Sequence, residues 1–202
     1  MQAKGWDGGV IKADKLILAS ASPRRQELLM LCGIPFECFA PDVDEHCVGE
    51  PATQVMALAK RKAEAAQKIF PNRDILAADT LVCLNGLILG KPANKQAALQ
   101  TLQMLSGNTH KVYTGVCVMD GKSGSALVDY DETLVTFSSL ESSVIDDYVS
   151  TGEPMDKAGA YGIQGRAGMF IESISGSYSN VIGLPMALTR KMLKQLPQYA
   201  NL

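Results

Sequence analysis

Two serines and two arginines crowd the turn of LILASASPRRQELL, the run from Leu16 to Leu29. The run passes from a hydrophobic strand through a polar turn into an amphipathic helix, which puts Ser20, Ser22, Arg24 and Arg25 at or near a helix N-terminus. Unpaired backbone N–H groups at such an end, together with two guanidinium groups, are suited to neutralising a phosphate or a carboxylate. The same spacing fits an ordinary capping turn, with Ser22 at the N-cap, Pro23 at the first helical position, Glu27 in the next turn and both arginines in solvent. The run by itself leaves the two readings level.

The stretch DILAADTLVCLNGLILGKP, Asp74 to Pro92, adds an acid and a lysine at the edges of apolar strands. A strand of Ile75, Leu76, Ala77 and Ala78 is expected to end in the core at Asp79, where a carboxylate is costly unless it meets a metal, a proton donor or a hydrogen-bond network. A capping or turn aspartate beside Thr80 is the plainer reading. Asn85 and Gly86 form a tight hairpin turn between hydrophobic strands, and the hairpin returns Lys91 toward the end that carries Asp79.

The elements that must position these residues follow from periodicity. Leu16 to Ala19 reads as a strand, Pro23 to Cys32 as a helix ended by Gly33, and Ile34 to Phe39 as a short extended segment. An acidic loop, Pro41 to Glu50, precedes a helix from Pro51 to Ile69, on which Val55, Leu58, Ala59, Lys62 and Ala66 share helical spacing. Lys62 on that apolar face either snorkels to solvent or presents its ammonium to a cleft. Lys95 to Leu105 is a helix stopped at Ser106 and Gly107. Val112 to Met119 is a strand, Gly121 to Gly124 a turn, and alternation continues through Phe137. Ser142 to Ser150 forms a short helix before the glycine-rich segment Gly152 to Gly168, which is either a surface loop or a place where backbone approaches a ligand closely. Phe170 to Ile174 and Met186 to Leu196 read as a strand and a closing helix. Helices mixed with strands and a central hairpin favour an α/β fold with a mixed sheet over a purely parallel one. Neither a GxGxxG turn nor a GxxxxGK[ST] loop is present.

Composition narrows the function classes. A chain of 202 residues, 47% hydrophobic, supports one sizeable core or two small lobes around a cleft, and residues 14–202 are read as a single domain. A formal charge of -2 gives no overall attraction to nucleic acid or to an anionic membrane, so a polyanion must be held by a local cluster such as Arg24, Arg25, Lys62 and Lys91. Aromatic residues at 6% and balanced charges argue against an RNA-binding module. No apolar stretch is long enough to cross a bilayer and no secretory leader is evident, from which a cytoplasmic location is expected. Cys32, Cys38, Cys47, Cys83 and Cys117 form no CxxC pair and read as core residues. His46 and His110 are too isolated for an imidazole metal site.

Taken in order, SASPRR at Ser20 to Arg25, VDE at Val43 to Glu45, LAKRKA at Leu58 to Ala63, AADT at Ala77 to Thr80, GKP at Gly90 to Pro92 and LSGNTHKVYTGV at Leu105 to Val116 resemble the Maf family of nucleoside triphosphate pyrophosphatases. TGEPMDKAGAYGIQGRAG, Thr151 to Gly168, and GSYSNVIGLP, Gly176 to Pro185, continue the resemblance. Residues 1–13, with Trp6 and several glycines, fall outside it and are expected to be a flexible extension.

The resemblance implies an α/β fold with a mixed central sheet, flanking helices and two lobes around a cleft, related in shape to inosine triphosphate pyrophosphatases, and a homodimer. It implies cleavage between the α and β phosphates to give a monophosphate and pyrophosphate, with a divalent cation, Mg2+ or Mn2+. Glu45 and Asp79 supply the hard oxygen ligands for that metal, and Asp79 is the candidate base or orienter of water. Lys91 joins them as a catalytic candidate, while Ser20, Arg24, Arg25, Lys62 and Lys91 are assigned to the phosphates. IQG at Ile163 to Gly165 resembles the branch acting on dTTP and UTP. There the Gln164 amide, with Arg25 as a second candidate, reads the base edge, because an amide offers both a donor and an acceptor. A loop-stabilising role for Gln164 is the plainer alternative. Modified pyrimidine nucleotides are further expected substrates. A non-catalytic nucleotide sensor is the alternative function, against which the presence of Glu45 and Asp79 counts.

Overall fold

The protein, described here from a computed structural model over residues 15–202, is built on one seven-stranded mixed sheet. The expected N-terminal extension, residues 1–13, lies outside the described residues. The strands are β1 (Leu16–Ala19), β2 (Phe36–Phe39), β3 (Ile75–Leu84), β4 (Leu87–Leu89), β5 (Thr109–Met119), β6 (Ala126–Phe137) and β7 (Ile171–Ser175). The helices are α1 (Pro23–Leu31), α2 (Pro51–Ile69), α3 (Lys95–Leu105), α4 (Ser142–Ser150), α5 (Tyr178–Ile182) and α6 (Met186–Leu193). The sheet runs β2-β1-β3-β5-β6-β7, with β1 parallel to both β2 and β3, and β5, β6 and β7 antiparallel to their neighbours.

The expected mixed sheet is therefore present, but β3 does not end at Asp79. It continues through Asp79 and Thr80 to Leu84, because β5 pairs with it along the whole stretch from Ile75 to Cys83. The other edge of β3 is divided. β1 pairs only with Ile75, Leu76 and Ala77, and β4 only with Val82, Cys83 and Leu84. Among the described residues, no strand covers the edge between them, and the chain opens there into a cleft. Asn85 and Gly86 both take positive φ, 50° and 84°, as the expected tight turn requires.

The core divides on either side of that opening. Leu16, Leu18 and Leu76 pack with Leu28 and Leu29 of α1 and with Met192 and Leu193 of α6. On the opposite face, Ala59, Ala63 and Ala66 of α2 lie against Ile17, Ile75 and Cys117. Beyond the opening, Val82, Leu84 and Leu89 pack with Leu102 and Leu105 of α3, Tyr148 of α4, and Tyr161 and Phe170. The glycine-rich stretch is folded into short 3-10 turns at Glu153–Asp156, Ala158–Ala160 and Arg166–Phe170 rather than left as an open surface loop. α5 was not expected from periodicity, since one turn is too short to show any.

His110 is fully enclosed by the core beyond the opening, between Phe137 and Tyr161, and its Nε2 lies 2.8 Å from the Tyr161 hydroxyl. Burial pushes its pKa down to about 4. The unfolded chain therefore binds a proton between pH 6.5 and 4 that the folded protein refuses, and stability is lost as pH falls through that window. Chemical denaturation at pH 7 and pH 5 is expected to show a loss of about 2 kcal/mol from this residue. His110→Gln should lack that component of the pH dependence, and an equal pH dependence in the variant would rule the histidine out as its source.

Candidate active site

Alternation along β3 sends Asp79 and Thr80 to opposite faces of the sheet. The open edge brings both back to one cleft of about 580 Å³, which they line together with Ser20, Arg25, Lys62 and Lys91.

On the α2 face, Asp79 is 8% exposed and pairs with Lys62, whose Nζ lies 2.6 Å from its Oδ1. The same ammonium lies 2.8 Å from Glu45 Oε1, so one lysine bridges an acid of β3 and an acid of the loop before α2. Lys62 thus presents its charge to the cleft and does not snorkel outward. Its reach is set by Gly115, which stands opposite Asp79 in the register of β5. A Cβ at Gly115 would fall 2.3 Å from the Val55 carbonyl carbon and oxygen, so α2 rests directly on the sheet backbone at this point. The hydrogen bond from Lys62 holds the Glu45 carboxyl below its ordinary range, although partial burial works in the other direction.

On the opposite face, Arg25 braces three elements. Its Nε donates to the Gly183 carbonyl at 2.7 Å, Nη1 to Ser20 Oγ at 3.1 Å and Nη2 to Thr80 Oγ1 at 3.0 Å. Thr80 continues to Thr114, and the Thr114 hydroxyl donates to the Asn180 carbonyl. Burial lowers the proton affinity of Arg25, and the charge of Asp79 acts against that effect. Three guanidinium N–H groups are committed to the protein, which makes Arg25 a structural brace of the cleft as well as a charge in it. Ser22 does occupy the N-cap of α1 with Pro23 after it, but its side chain makes no capping bond. The plain capping-turn reading therefore holds for position and fails for the hydroxyl and for Arg25.

Of the remaining residues, Lys91 and Arg24 line the cleft and Gln164 does not. Lys91 stands two residues past the end of β4, exposed and lining the cleft. Arg24 also lines the cleft, with Nη1 3.6 Å from Asp156 Oδ2. Gln164 is exposed on the turn after Ile163 and is not among the residues lining the cleft, although Gly162 and Ile163 are. Thr80, Asp156 and Lys157 line the cleft as well and were not singled out from the sequence. Thr80 was adjacent to a chosen residue, whereas Asp156 and Lys157 sat inside a stretch read only for its glycines.

The donor set suits a hard divalent cation in part. Lys62 contacts one oxygen on each carboxylate, Asp79 Oδ1 and Glu45 Oε1. Two carboxylates completed by substrate phosphate oxygens and water are a usual environment for Mg2+. Among the described residues, no group of three or more His, Cys, Asp or Glu side chains forms a cage of its own.

Comparison with known proteins places these features in a family. The model of the Maf-like protein family matches residues 15–196. A dTTP/UTP pyrophosphatase of Symbiobacterium thermophilum is 53% identical over 183 residues, covering 90% of this chain and 93% of that protein. Proteins of the same name from Pelotomaculum thermopropionicum and Bacillus anthracis are 47% and 46% identical, each over 90% of this chain and at least 95% of their own length.

The bridging lysine generates an asymmetric expectation. Lys62→Met leaves the buried Asp79 without its ammonium and should cost about 3 kcal/mol of folding stability. Asp79→Asn leaves Lys62 paired with Glu45 and should cost about 1 kcal/mol or less. Urea denaturation of both variants checks this, and a larger loss for Asp79→Asn would contradict the assignment of Lys62 as the shared partner.

Proposed function

The chain belongs to the Maf family, and we propose from that premise that it hydrolyses dTTP and UTP to the nucleoside monophosphate and pyrophosphate. The observation that carries this reading is the pairing of a nearly buried carboxylate, Asp79, with a cleft ringed by Lys62, Arg25, Arg24 and Lys91. Such a site can neutralise a triphosphate while keeping one acid beside the reacting phosphorus. The homologues bear the corresponding name, and their aligned regions extend over nearly their full length. A sensor that only binds nucleotide would not need the buried acid, whose placement is costly.

In this reading a water molecule attacks the α phosphorus. Its oxygen forms the new bond, the bond from phosphorus to the bridging oxygen breaks, pyrophosphate leaves with that electron pair, and Asp79 takes the proton. Lys62 fixes the direction of the Asp79 carboxylate. Lys91 and Arg24 contact the phosphates from the rim, and Arg25 holds Ser20 and Thr80 in position to do so from within the cleft. A divalent cation, Mg2+ or Mn2+, would be held by Asp79 and Glu45 and would supply charge neutralisation and acidification of water. Gln164 lies outside the cleft lining, on the turn that follows the lining residues Gly162 and Ile163, and is assigned the uracil or thymine edge on the family resemblance; modified pyrimidines sharing that edge belong to the same proposal. A homodimer, a cytoplasmic setting and no role in nucleic-acid binding complete the proposal, on the family resemblance and the charge balance. No helix among the described residues is long and apolar enough to cross a membrane.

A nucleotide panel with chromatographic identification of products tests the reaction. dTTP and UTP should yield monophosphate and pyrophosphate, with CTP and purine triphosphates poorer. Diphosphate and orthophosphate as products would refute the proposed bond cleavage. Asp79→Asn should lower turnover by about 10²–10⁴-fold while the protein stays folded. Separately, Gln164→Ala should narrow the preference for dTTP over CTP, and an unchanged preference would move base recognition to another residue.

A further inference from the structure

The turn Glu153–Asp156 is followed by a lysine that the proposed reaction leaves without a part. Lys157 lines the same cleft as Lys62 and Asp79, although its side chain is only 14% exposed. Its Nζ donates to the Glu153 carbonyl and to Asp156 Oδ1, both at 2.6 Å. The stem runs close over Gly162, where a Cβ would stand 2.7 Å from Lys157 Cε and 2.9 Å from Cδ, so with glycine there the lysine can take this path. Enclosing an aliphatic stem in this way fixes the position of the charge at its end, which lowers the conformational entropy lost when a ligand is gripped.

Asp156 faces two cations carried by different segments. Oδ1 takes Lys157, and Oδ2 lies 3.6 Å from Arg24 on α1. The carboxylate is itself 69% exposed. Exposed pairs of this kind are weak, whereas a triphosphate offers the same cations several charges and many more acceptor oxygens.

Resting on the reading of this cleft as a nucleoside triphosphate site, we infer that Lys157 is a further triphosphate-binding residue, and that Asp156 occupies Lys157 and Arg24 until phosphate oxygens replace it. The carboxylate acts as a built-in competitor. It keeps two cations directed at one point in the empty cleft and yields them to a ligand of higher charge. Lys157 thereby contributes phosphate affinity from a segment other than α1, and it takes no part in reading the base.

Calorimetric binding of inorganic tripolyphosphate and of thymidine to the full-length protein tests the inference without requiring turnover. Lys157→Met keeps the stem over Gly162 and removes the charge. Its Kd for tripolyphosphate should rise by about 10–100-fold, as should KM for dTTP, while Kd for thymidine stays within about twofold. Lys157→Arg should recover part of the loss. Asp156→Asn should tighten tripolyphosphate binding by up to about fivefold. Unchanged tripolyphosphate binding in Lys157→Met would overturn the inference, and so would a parallel loss of thymidine binding, which marks a general collapse of the cleft. Should Lys157→Met not fold, Asp156→Asn decides, and weaker or equal tripolyphosphate binding there would overturn the competitor role. Failure of the unmodified protein to release pyrophosphate from dTTP would count against the parent reading alone, since tripolyphosphate binding is measured independently of it.

Discussion

The site depends on one interruption in backbone pairing. β3 is held along one edge by β5, while its other edge is shared by two strands that do not meet, β1 and β4. The backbone of the uncovered stretch stays extended because β5 supports it, so Asp79 and Thr80 gain access to a cleft without the strand having to end. Side chains that alternate to opposite faces then act on a single ligand space. The Lys62 and Glu45 pairings gather on one face, and the Arg25, Thr80 and Thr114 chain on the other.

A chain with a formal charge of -2 must concentrate its positive charge to hold a polyanion. The cations around the cleft come from four separate segments: Arg24 and Arg25 from α1, Lys62 from α2, Lys91 from the segment after β4, and Lys157 from the segment after α4. Mutual repulsion among them is offset locally, by Asp79 and Glu45 at Lys62 and by Asp156 at Arg24 and Lys157. Acids among these cations are thus compatible with the proposed anion binding, since each ion pair fixes the position of a positive charge.

Much of this was legible before any coordinates. The helices α2, α3 and α4 match their expected spans because Pro51, the stop at Ser106 and Gly107, and the amphipathic spacing are local signals. The Asn85–Gly86 turn was enough to return Lys91 toward the end that carries Asp79, since a two-residue hairpin reverses the chain, and both line the cleft. The end of β3 was misjudged for the opposite reason. A polar pair inside an apolar run looks like a boundary, and only long-range pairing with β5 carries the strand through it. Lys62 could not be resolved between solvent and cleft, because the answer depends on a contact between α2 and Gly115, which stands far away in the chain. Lys157 and Asp156 were obscured by the glycines around them, among them Gly162, over which the lysine stem passes.

The contact at Gly115 has a mechanical meaning. Side-chain packing between a helix and a sheet is compliant, and small volume changes shift the separation by fractions of an ångström. Here α2 meets the sheet backbone to backbone, with no intervening side chain to compress. The standoff of the helix is therefore set at its lower limit, and the arm that carries the Lys62 ammonium has a fixed fulcrum opposite Asp79. Core substitutions elsewhere along α2 can tilt the helix about this point without changing its height there, so the calibration of the charge pair is insulated from drift in the surrounding apolar residues. A single added methyl at the fulcrum would reset it.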